Sequence, residues 1–321
     1  MFFELDESQR DFAASIDAAL GAADVFAAVR AWGEGDTAPG RKVWSTLSEL
    51  GVTALNVAEE FDGIGADPVD LVVALERLGA WAVPGPVTES VAVAPVLLAA
   101  DARSEQLASG ELIATVALPP HTPRAVDADT AGLILLASAG SGGQVRDAAI
   151  DGAAQQSVDP ARRLFDVTAT GEPQNADTAR AFEFGALATA AQLVGAGQAM
   201  LNMSVEYAKQ RTQFGTVIGS YQAIKHKLAD VHIAIELARP LVYGAALALA
   251  DGTDSTARDV SAAKVAAGEA ALLAARSSLQ THGAIGFTQE HDLSLLLLRT
   301  QALRSAWGDP TWHRHRVLEG V

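Results

Sequence analysis

The most specific pattern in the chain is Tyr207-Ala208-Lys209-Gln210-Arg211-Thr212-Gln213-Phe214-Gly215, followed by Ile218 and Gln222. It stands between two segments whose apolar residues recur with a helical period. The segment 179–210 precedes it, and after it Ile224, Leu228, Val231 and Ile235 follow one another at intervals of four, three and four residues. This spacing lays one apolar face along a helix. The pattern is therefore predicted to join two long helices.

The helical pattern continues towards the end of the chain. The helix after the motif is predicted to stop at Asp251-Gly252, because glycine readily takes the left-handed conformation of a helix C-cap. Asp254 or Ser255 then offers an N-cap for a further helix. Together with the helix before the motif and a last helix near 292–306, this predicts a four-helix bundle over residues 179–321.

Two further regions precede the bundle. Over residues 1–114 the pattern is typical of helices separated by turns, with apolar stripes that end at Gly51 and Gly79. Over residues 115–178 short apolar runs are bounded by Pro, Gly and Asp, as strands would be, and Gly140-Ser141-Gly142-Gly143 is predicted as a hairpin tip. The predicted fold class is mainly α with a small β domain.

Composition narrows the function classes. The chain of 321 residues is 49% apolar and only 19% charged, which argues against disorder and favours an oligomer in which a partner covers part of the surface. The formal net charge of -16 repels nucleic-acid phosphates and anionic lipids, so we expect no nucleic-acid or membrane partner. Cysteine is absent from the sequence, which excludes disulfides and thiolate catalysis and suits a reducing compartment.

Localisation and metal binding are also addressed by the sequence. The amino terminus has no basic segment followed by an apolar run, and we expect no segment to reach the ~20 apolar residues of a membrane span. A cytoplasmic protein is expected. His313 and His315 would lie roughly 200° apart on a helix, which is poor geometry for a shared metal. No metal site is predicted, and a solvated carboxyl-terminal tail is the simpler interpretation of these histidines.

The motif over 207–222 resembles the YxxxRxQFGxxIxxxQ signature of acyl-CoA dehydrogenases. Trp44 to Gly65 is similar to that family's W…L…G…GGxG stretch, and the segment 279–287 is similar to its QxxGGxGY turn. The resemblance implies the family's fold: a helical N-terminal domain, a middle β domain, here reduced, and a C-terminal four-helix bundle. It also implies FAD as the cofactor and an acyl-CoA as the substrate.

The resemblance assigns roles to four residues of the motif. Arg211 and Gln213 match residues that contact the flavin diphosphate of a neighbouring subunit, a role that suits the fixed charge and bidentate reach of arginine. Phe214 would cover the flavin with an apolar ring, and Gly215 would permit close backbone approach. The alternative is that Arg211 is a solvated charge and Phe214 a core residue.

Two residues near the end of a later helix also match the family. Gln280 and Gly283 correspond to residues that approach the adenosine end of the same flavin across the interface. The alternative is an ordinary helix C-terminus. Ala284 replaces the second glycine of the family's turn, so close backbone approach is in doubt at that position.

The chain departs from the family in its flavin wall and its base. Residues 115–178 contain neither a tryptophan nor the Thr-Glu-Pro segment that walls the flavin in family members, and this region is short. Trp307-Gly308-Asp309-Pro310 aligns with the YEGT segment that carries the general base in many members. The base is therefore missing there, unless Asp309 substitutes for it.

Glu269 is the candidate base that remains. A minority of the family carries the glutamate on the preceding helix, and Glu269 aligns with that position. It lies 11 residues before Gln280, close to three helical turns, so both would face the same way. An apolar setting that includes Val265 and Leu273 would raise its pKa and suit it to remove a proton. The alternative is an ordinary surface or buried polar glutamate.

The resemblance extends to a particular kind of assembly. Family members remove the α-proton of an acyl-CoA with a carboxylate while a hydride leaves the β-carbon for flavin. The preferred hypothesis is a subunit of the α₂β₂ heterotetrameric acyl-CoA dehydrogenases of actinobacterial sterol and cholesterol degradation, with a degraded flavin site and an electron-transfer flavoprotein-type acceptor. The alternatives are a self-sufficient homomeric enzyme that uses Glu269, and a non-catalytic structural subunit.

Overall fold

The N-terminal part of the chain is helical. The structure is a computed structural model that describes residues 4–139 and 142–320. Its first helices are α1 (Glu7–Ala22), α2 (Val25–Gly33), α3 (Ala38–Glu49), α4 (Pro68–Ala80), α5 (Ala94–Leu97) and α6 (Arg103–Ala108), with a π-helical segment at Thr88–Val93 leading into α5. Asp6 and Gln9 form a capping box at the start of α1, and Asp67 caps α4 ahead of Pro68.

The strands form a small mixed sheet and a separate pair. They are β1 (Ala114–Ala117), β2 (Ala125–Val126), β3 (Leu133–Ser138), β4 (Gln144–Ile150), β5 (Leu164–Phe165), β6 (Val167–Ala169) and β7 (Gln174–Asn175). β1 is parallel to β3, β3 is antiparallel to β4, and β6 and β7 both pair with β4, while β2 pairs with β5. Of the predicted hairpin tip, Gly140 and Ser141 lie outside the described residues; on either side of it Ser138 stands opposite Gln144.

Long helices make up the rest of the chain. They are α7 (Thr178–Gln210), α8 (Gln222–Asp251), α9 (Thr256–His282), α10 (Leu293–Ser305) and α11 (Pro310–Leu318), and a hairpin of β8 (Thr212–Gln213) and β9 (Thr216–Val217) separates α7 from α8. Gly252 ends α8 in the left-handed conformation, as predicted. The expected solvated tail is wrong, because residues 310–318 form α11 and its His313 is fully buried against α9.

Glycines hold the N-terminal helices tightly against the bundle. A Cβ atom at Gly79 of α4 would clash with the backbone of Gln192 in α7, and one at Gly195 of α7 would clash with the carbonyl oxygen of Glu76. The two helix backbones are therefore in direct contact, which only glycine allows. Gly79 was predicted as a helix stop, but α4 continues to Ala80 and the glycine serves this packing.

A buried ion pair joins all three parts of the chain. Arg299 of α10 donates from Nε to Oδ2 of Asp159 at 2.5 Å and from Nη1 to the carbonyl oxygen of Val83 at 2.9 Å. Asp159 belongs to the middle region and Val83 to the N-terminal region. Removing one partner of such a pair leaves an uncompensated buried charge, so Arg299 fixes how the regions meet. The predicted fold class, mainly α with a small β domain, is confirmed.

The expectation that no segment is apolar enough for a membrane span is wrong. Two helices, α7 and α8, meet the criteria of length and composition, and a third span is reached if the bent pair of α1 and α2 is counted as one. In α7, 89% of the most apolar window is buried inside the protein, whereas in α8 the share is 39%. The apolar character of α7 therefore serves the protein core.

Candidate active site and cofactor surface

The motif residues Arg211 to Gly215 form an outward-facing tip. Arg211 ends α7, and its carbonyl oxygen accepts a hydrogen bond of 2.8 Å from the backbone of Ile218. Phe214 and Gly215 both have positive φ, at 51° and 81°, and turn the chain between β8 and β9. The side chain of Phe214 is 94% exposed, so the alternative of a core residue is wrong. Arg211 and Gln213 are exposed as well.

The hairpin is held in shape by its own contacts. Tyr221 donates from its hydroxyl to the carbonyl oxygen of Gln213 at 3.1 Å. Thr212 pairs with Val217 across the two short strands. Within the described residues, Arg211 makes no ion pair. An exposed phenylalanine beside an unpaired arginine, on a structured hairpin, is suited to contact another molecule.

The turn after α9 presents a second exposed surface. Gly283 ends α9 with φ 66°, and no described atom lies within 4 Å of where its Cβ would be. Ile285 and Phe287 in the same turn are exposed. Gln280, one helical turn earlier, accepts a hydrogen bond from Lys227 of α8.

An aromatic contact brings the two surfaces to the same end of the bundle. Tyr207, in the last turn of α7, stacks on His282 at the end of α9 with 4.4 Å between ring centroids. The hairpin follows Tyr207 directly, and the exposed turn follows His282. Both sets of predicted cofactor residues therefore extend from helix ends that touch each other.

Glu269 lies apart from these surfaces. Its side chain is 59% exposed and pairs with Arg314 of α11, whereas Gln280 pairs with α8. The apolar setting expected for Glu269 is absent, because α9 turns this residue to solvent and Leu273 is itself partly exposed. This position gives the carboxylate water and a cation as neighbours.

The segment after α10 places a tryptophan in the interior. Trp307 is fully buried, and its indole Nε1 donates to Oε1 of Glu89 at 3.0 Å. Its ring packs on α7 at Gly185, where a Cβ would clash with it. Asp309 is exposed and caps α11 by accepting from the backbone of Thr311 and Trp312.

His313 joins the segment after α10 to α9 through hydrogen bonds of both ring nitrogens. Its Nε2 bonds the carbonyl oxygen of Trp307 at 2.9 Å, and its Nδ1 lies 3.0 Å from the hydroxyl of Ser261. Because a carbonyl only accepts, Nε2 carries the proton and Nδ1 accepts from Ser261. Burial lowers the pKa of His313 to about 4, so the ring is neutral around pH 7.

Two domain models and one curated relative identify the chain. Residues 6–107 match the acyl-CoA dehydrogenase N-terminal domain and residues 176–321 the acyl-CoA dehydrogenase C-terminal domain. The acyl-CoA dehydrogenase IpdE2 of Mycobacterium tuberculosis is 35% identical over 284 residues, which cover 85% of this chain and 84% of the relative. The chain belongs to the acyl-CoA dehydrogenase family.

Solved acyl-CoA dehydrogenases have the same fold. The ChsE4-ChsE5 complex of Mycobacterium tuberculosis contains a chain with a TM-score of 0.85 and 22% identity, covering 99% of this chain and 98% of the other. The Tcur3481-Tcur3483 steroid acyl-CoA dehydrogenase G363A variant has a TM-score of 0.85 and 20% identity, covering 98% and 97%. At these identities the likeness establishes the fold, and the expectations of family, fold and enzyme class are confirmed.

The acyl-CoA dehydrogenase cofactor, FAD, fits the outward surfaces of this chain. The free guanidinium of Arg211 suits a diphosphate, the exposed ring of Phe214 suits a flavin edge, and Gly283 leaves open space for close approach. These are the residues of this chain that would contact the cofactor.

Sequence reasoning missed the polar residues of a solvent-open pocket of about 330 Å³. The pocket lies between the middle region and α10, and its lining includes Glu89, Thr122, Arg162 and Gln301. These residues come from segments far apart in the chain, so spacing could not group them. One signal was available: Glu89 is the single charged residue between 82 and 98, and an isolated charge in such a run calls for a partner.

Proposed function

We propose that this chain is one subunit of a flavin-dependent acyl-CoA dehydrogenase and that it completes the flavin site of a second, unlike chain of the same family in an α₂β₂ heterotetramer. The observation that carries the proposal is the outward hairpin, with Phe214 almost fully exposed beside the unpaired Arg211. The exposed ring of Phe214, with Val217 and Tyr221 exposed in the same segment, offers apolar surface that a partner would remove from water. The exposed turn at Gly283 to Phe287 supports the same interface.

A row of apolar side chains on α8 supports a protein partner. Ile233, Leu237 and Leu241 recur every four residues and are all exposed, and Leu273 of α9 is exposed as well. Residues four apart lie on one helix face. Only 39% of the apolar window of α8 is buried within the chain, so a second bundle packed on this face would remove much apolar surface from water.

The base and the greater part of the flavin site are proposed to come from the partner chain. In this chain the segment aligned with the family's base carries Trp307, which is buried against Gly185, and Glu269 is exposed and paired with Arg314. Neither is poised to remove a proton from the α-carbon of a bound thioester, since a base must lie within hydrogen-bond reach of that proton.

Each residue of the interface has a definite task in this proposal. Arg211 neutralises part of the diphosphate charge, Gln213 donates or accepts hydrogen bonds beside it, and Phe214 excludes water from the ring. Gln280 and Gly283 border the adenosine end. When bound, FAD accepts the hydride from the β-carbon of the acyl group.

The substrate is proposed to be a steroid-derived acyl-CoA, and the electron acceptor an electron-transfer flavoprotein. Similarity to a chain of the Tcur3481-Tcur3483 steroid acyl-CoA dehydrogenase supports the substrate class. The reaction would be α,β-dehydrogenation in the cytoplasm, within lipid and cholesterol degradation.

Co-purification tests the proposal directly. A tagged copy of this chain expressed in its own host should recover a second acyl-CoA dehydrogenase-like chain in equal amount. The purified complex should contain one flavin for every two unlike chains, measured by flavin absorbance against protein mass. The same chain expressed alone should be poorly soluble or colourless, because partner binding stabilises the fold by linkage.

Two results would contradict the assignment. Stoichiometric flavin with dehydrogenase activity on the chain alone would make it a self-sufficient homomer. A partner that retains its full flavin content and activity after this chain is removed would reduce it to a structural subunit.

A further inference from the structure

One arginine ties the exposed turn after α9 to the N-terminal part of the chain. Arg30 of α2 donates from Nε to the carbonyl oxygen of Gln289 at 3.1 Å and from Nη2 to that of Glu290 at 3.2 Å. The same Nη2 donates to Oδ1 of Asp292 at 2.7 Å. A planar guanidinium can bind several acceptors in fixed directions at once. Arg30 therefore holds three acceptors that lie within four consecutive residues.

The helix that carries Arg30 is itself held in a fixed position. Val29 and Trp32, which flank Arg30 in α2, are buried in the core. The ring of Trp32 packs on Gly40 of α3 so closely that a Cβ atom at Gly40 would clash with it. Because α2 is fixed in this way, the hydrogen bonds of Arg30 set the position of residues 289–292 relative to the N-terminal part of the chain.

Backbone hydrogen bonds extend this position to the exposed turn. The amide of His291 donates to the carbonyl oxygen of Thr288 at 3.2 Å, and the amide of Thr288 donates to that of Ile285 at 3.1 Å. The hydroxyl of Thr288 donates to the same oxygen of Ile285 at 2.8 Å. The 283–292 segment is thus fixed at one end by α9, which ends at Gly283, and at the other end by Arg30.

The exposure of these groups indicates what Arg30 contributes. The side chains of Arg30 and Asp292 are 31% and 43% exposed, and an ion pair so accessible to water adds little to the stability of the whole protein. The two carbonyl contacts act on a short connection between α9 and α10, and such connections open locally at lower cost than a core helix. The contribution of Arg30 is therefore expected in the local order of the 283–292 segment.

We propose that Arg30 is a positioning residue for the cofactor: it holds the 283–292 segment so that Gly283 and the exposed turn are already in the conformation that contacts the adenosine end of the flavin. The inference rests on the function proposed above and adds to it a residue of α2, which lies in neither of the two cofactor surfaces. A segment that is ordered before binding loses less conformational freedom when the ligand arrives. Removal of Arg30 should therefore weaken flavin binding without a change in the chemistry.

The Arg30→Met variant tests the proposal in the purified complex. FAD titrated back into the flavin-depleted complex, and followed by flavin fluorescence, should bind about five- to ten-fold more weakly than in the parent. Turnover per bound flavin should stay within about two-fold, because Arg30 contacts no reacting group. Hydrogen exchange should become faster at the amides of the 283–292 segment and stay unchanged in α2, and the urea midpoint should equal that of the parent.

Three further variants separate the carbonyl contacts from the ion pair. Asp292→Asn removes the charge but leaves both carbonyl contacts, so flavin affinity should stay within about two-fold. Arg30→Lys keeps the charge but cannot reach all three acceptors, so its affinity should lie between those of the parent and Arg30→Met. Arg314→Met is the matched control, because Arg314 also joins two helices but pairs with Glu269; it should bind flavin as the parent does.

Two results would overturn the assignment of Arg30. One is faster exchange in the 283–292 segment of Arg30→Met with flavin affinity equal to that of Arg314→Met, since the order of the segment would then not matter to the cofactor. The other is a lower urea midpoint or loss of assembly in both Arg30→Met and Arg30→Lys, which would make Arg30 a general structural contact.

Failure of the proposed assembly would be recognised separately. If no unlike chain co-purifies and this chain binds flavin by itself, the heterotetramer is wrong. The same titrations on the chain alone then decide the role of Arg30: weaker flavin binding in Arg30→Met than in Arg314→Met supports it, and equal binding overturns it.

Discussion

Trp307 and Glu89 are joined by a hydrogen bond of 3.0 Å between the indole nitrogen and a carboxylate oxygen, and both side chains are fully buried. The bond connects the segment after α10 to the π-helical segment before α5. Trp307 stands in the segment aligned with the family's base, so here a structural contact occupies the position of a catalytic group. The contribution of this hydrogen bond to stability can be measured by removing the indole N–H donor alone.

Trp307→Phe keeps most of the ring volume but deletes the donor, so the Glu89 carboxylate is left without a hydrogen bond among the described residues. We expect a loss of about 1–3 kcal/mol in the free energy of unfolding. Urea denaturation measures it. Trp312→Phe serves as the control, because the indole nitrogen of Trp312 makes no hydrogen bond within the described residues; a loss of equal size there would assign the effect to ring volume.

Arg211→Ala should weaken flavin retention in the assembled complex. The exposed guanidinium makes no ion pair within the described residues, so its removal should leave the fold intact while a charge-assisted contact worth about 1.5–3 kcal/mol is lost. Flavin content after gel filtration is the measurement. Arg258→Ala, at an exposed arginine paired with its neighbour Asp259, should retain flavin. Unchanged retention in Arg211→Ala would make Arg211 a solvated surface charge.

Glu269→Gln should leave turnover of the complex within a few-fold of the parent. The side chain is mostly in water and its pair with Arg314 is a surface ion pair, so stability should change by about 1 kcal/mol at most. Steady-state kinetics with an acyl-CoA substrate measures the effect. A loss of about 100-fold or more with flavin still bound would instead identify Glu269 as the base.

Stability should fall in mild acid because of His313. Its folded pKa, about 4, lies below the ordinary value of 6.5, so between these values the unfolded chain binds a proton that the folded chain does not. The stabilisation is fully present above pH 6.5 and is lost as the pH falls towards 4, by up to about 3 kcal/mol. Unfolding free energies of the parent and of His313→Gln, compared at several pH values, should converge as the pH falls. A constant difference would remove His313 from the acid response.

Local patterns predicted the long helices better than the site. The glycine at the end of α8 and the period of Ile224 to Ile235 depend on neighbouring residues, so they could be inferred from sequence. The two-residue strands β8 and β9 are too short to have a period, and α11 begins at a proline in a segment with little apolar patterning. The environment of Glu269 depends on which face of α9 packs on α11. The spacing between Glu269 and Gln280 does not determine that face.

The residues that line the pocket could not be predicted from the sequence for a different reason. Nη1 of Arg162 and Oε2 of Glu89 are informative only because they lack hydrogen-bond partners within the described residues, and a missing partner is a property of the three-dimensional structure. The glycines at 79 and 195 show the same limit: each permits contact with a backbone more than a hundred positions away.

The contact between Gly79 and α7 also bears on the order in which the chain acquires its structure. Nine of the 13 residues of α4 are buried, and much of that burial is against α7, which the ribosome completes only after the middle region has been made. The entropy lost in closing so long a loop is compensated only by contacts with α7, which form after α7 has been made. During synthesis the apolar face of α4 therefore remains uncovered, which makes this interval the time at which a chaperone has a surface to hold.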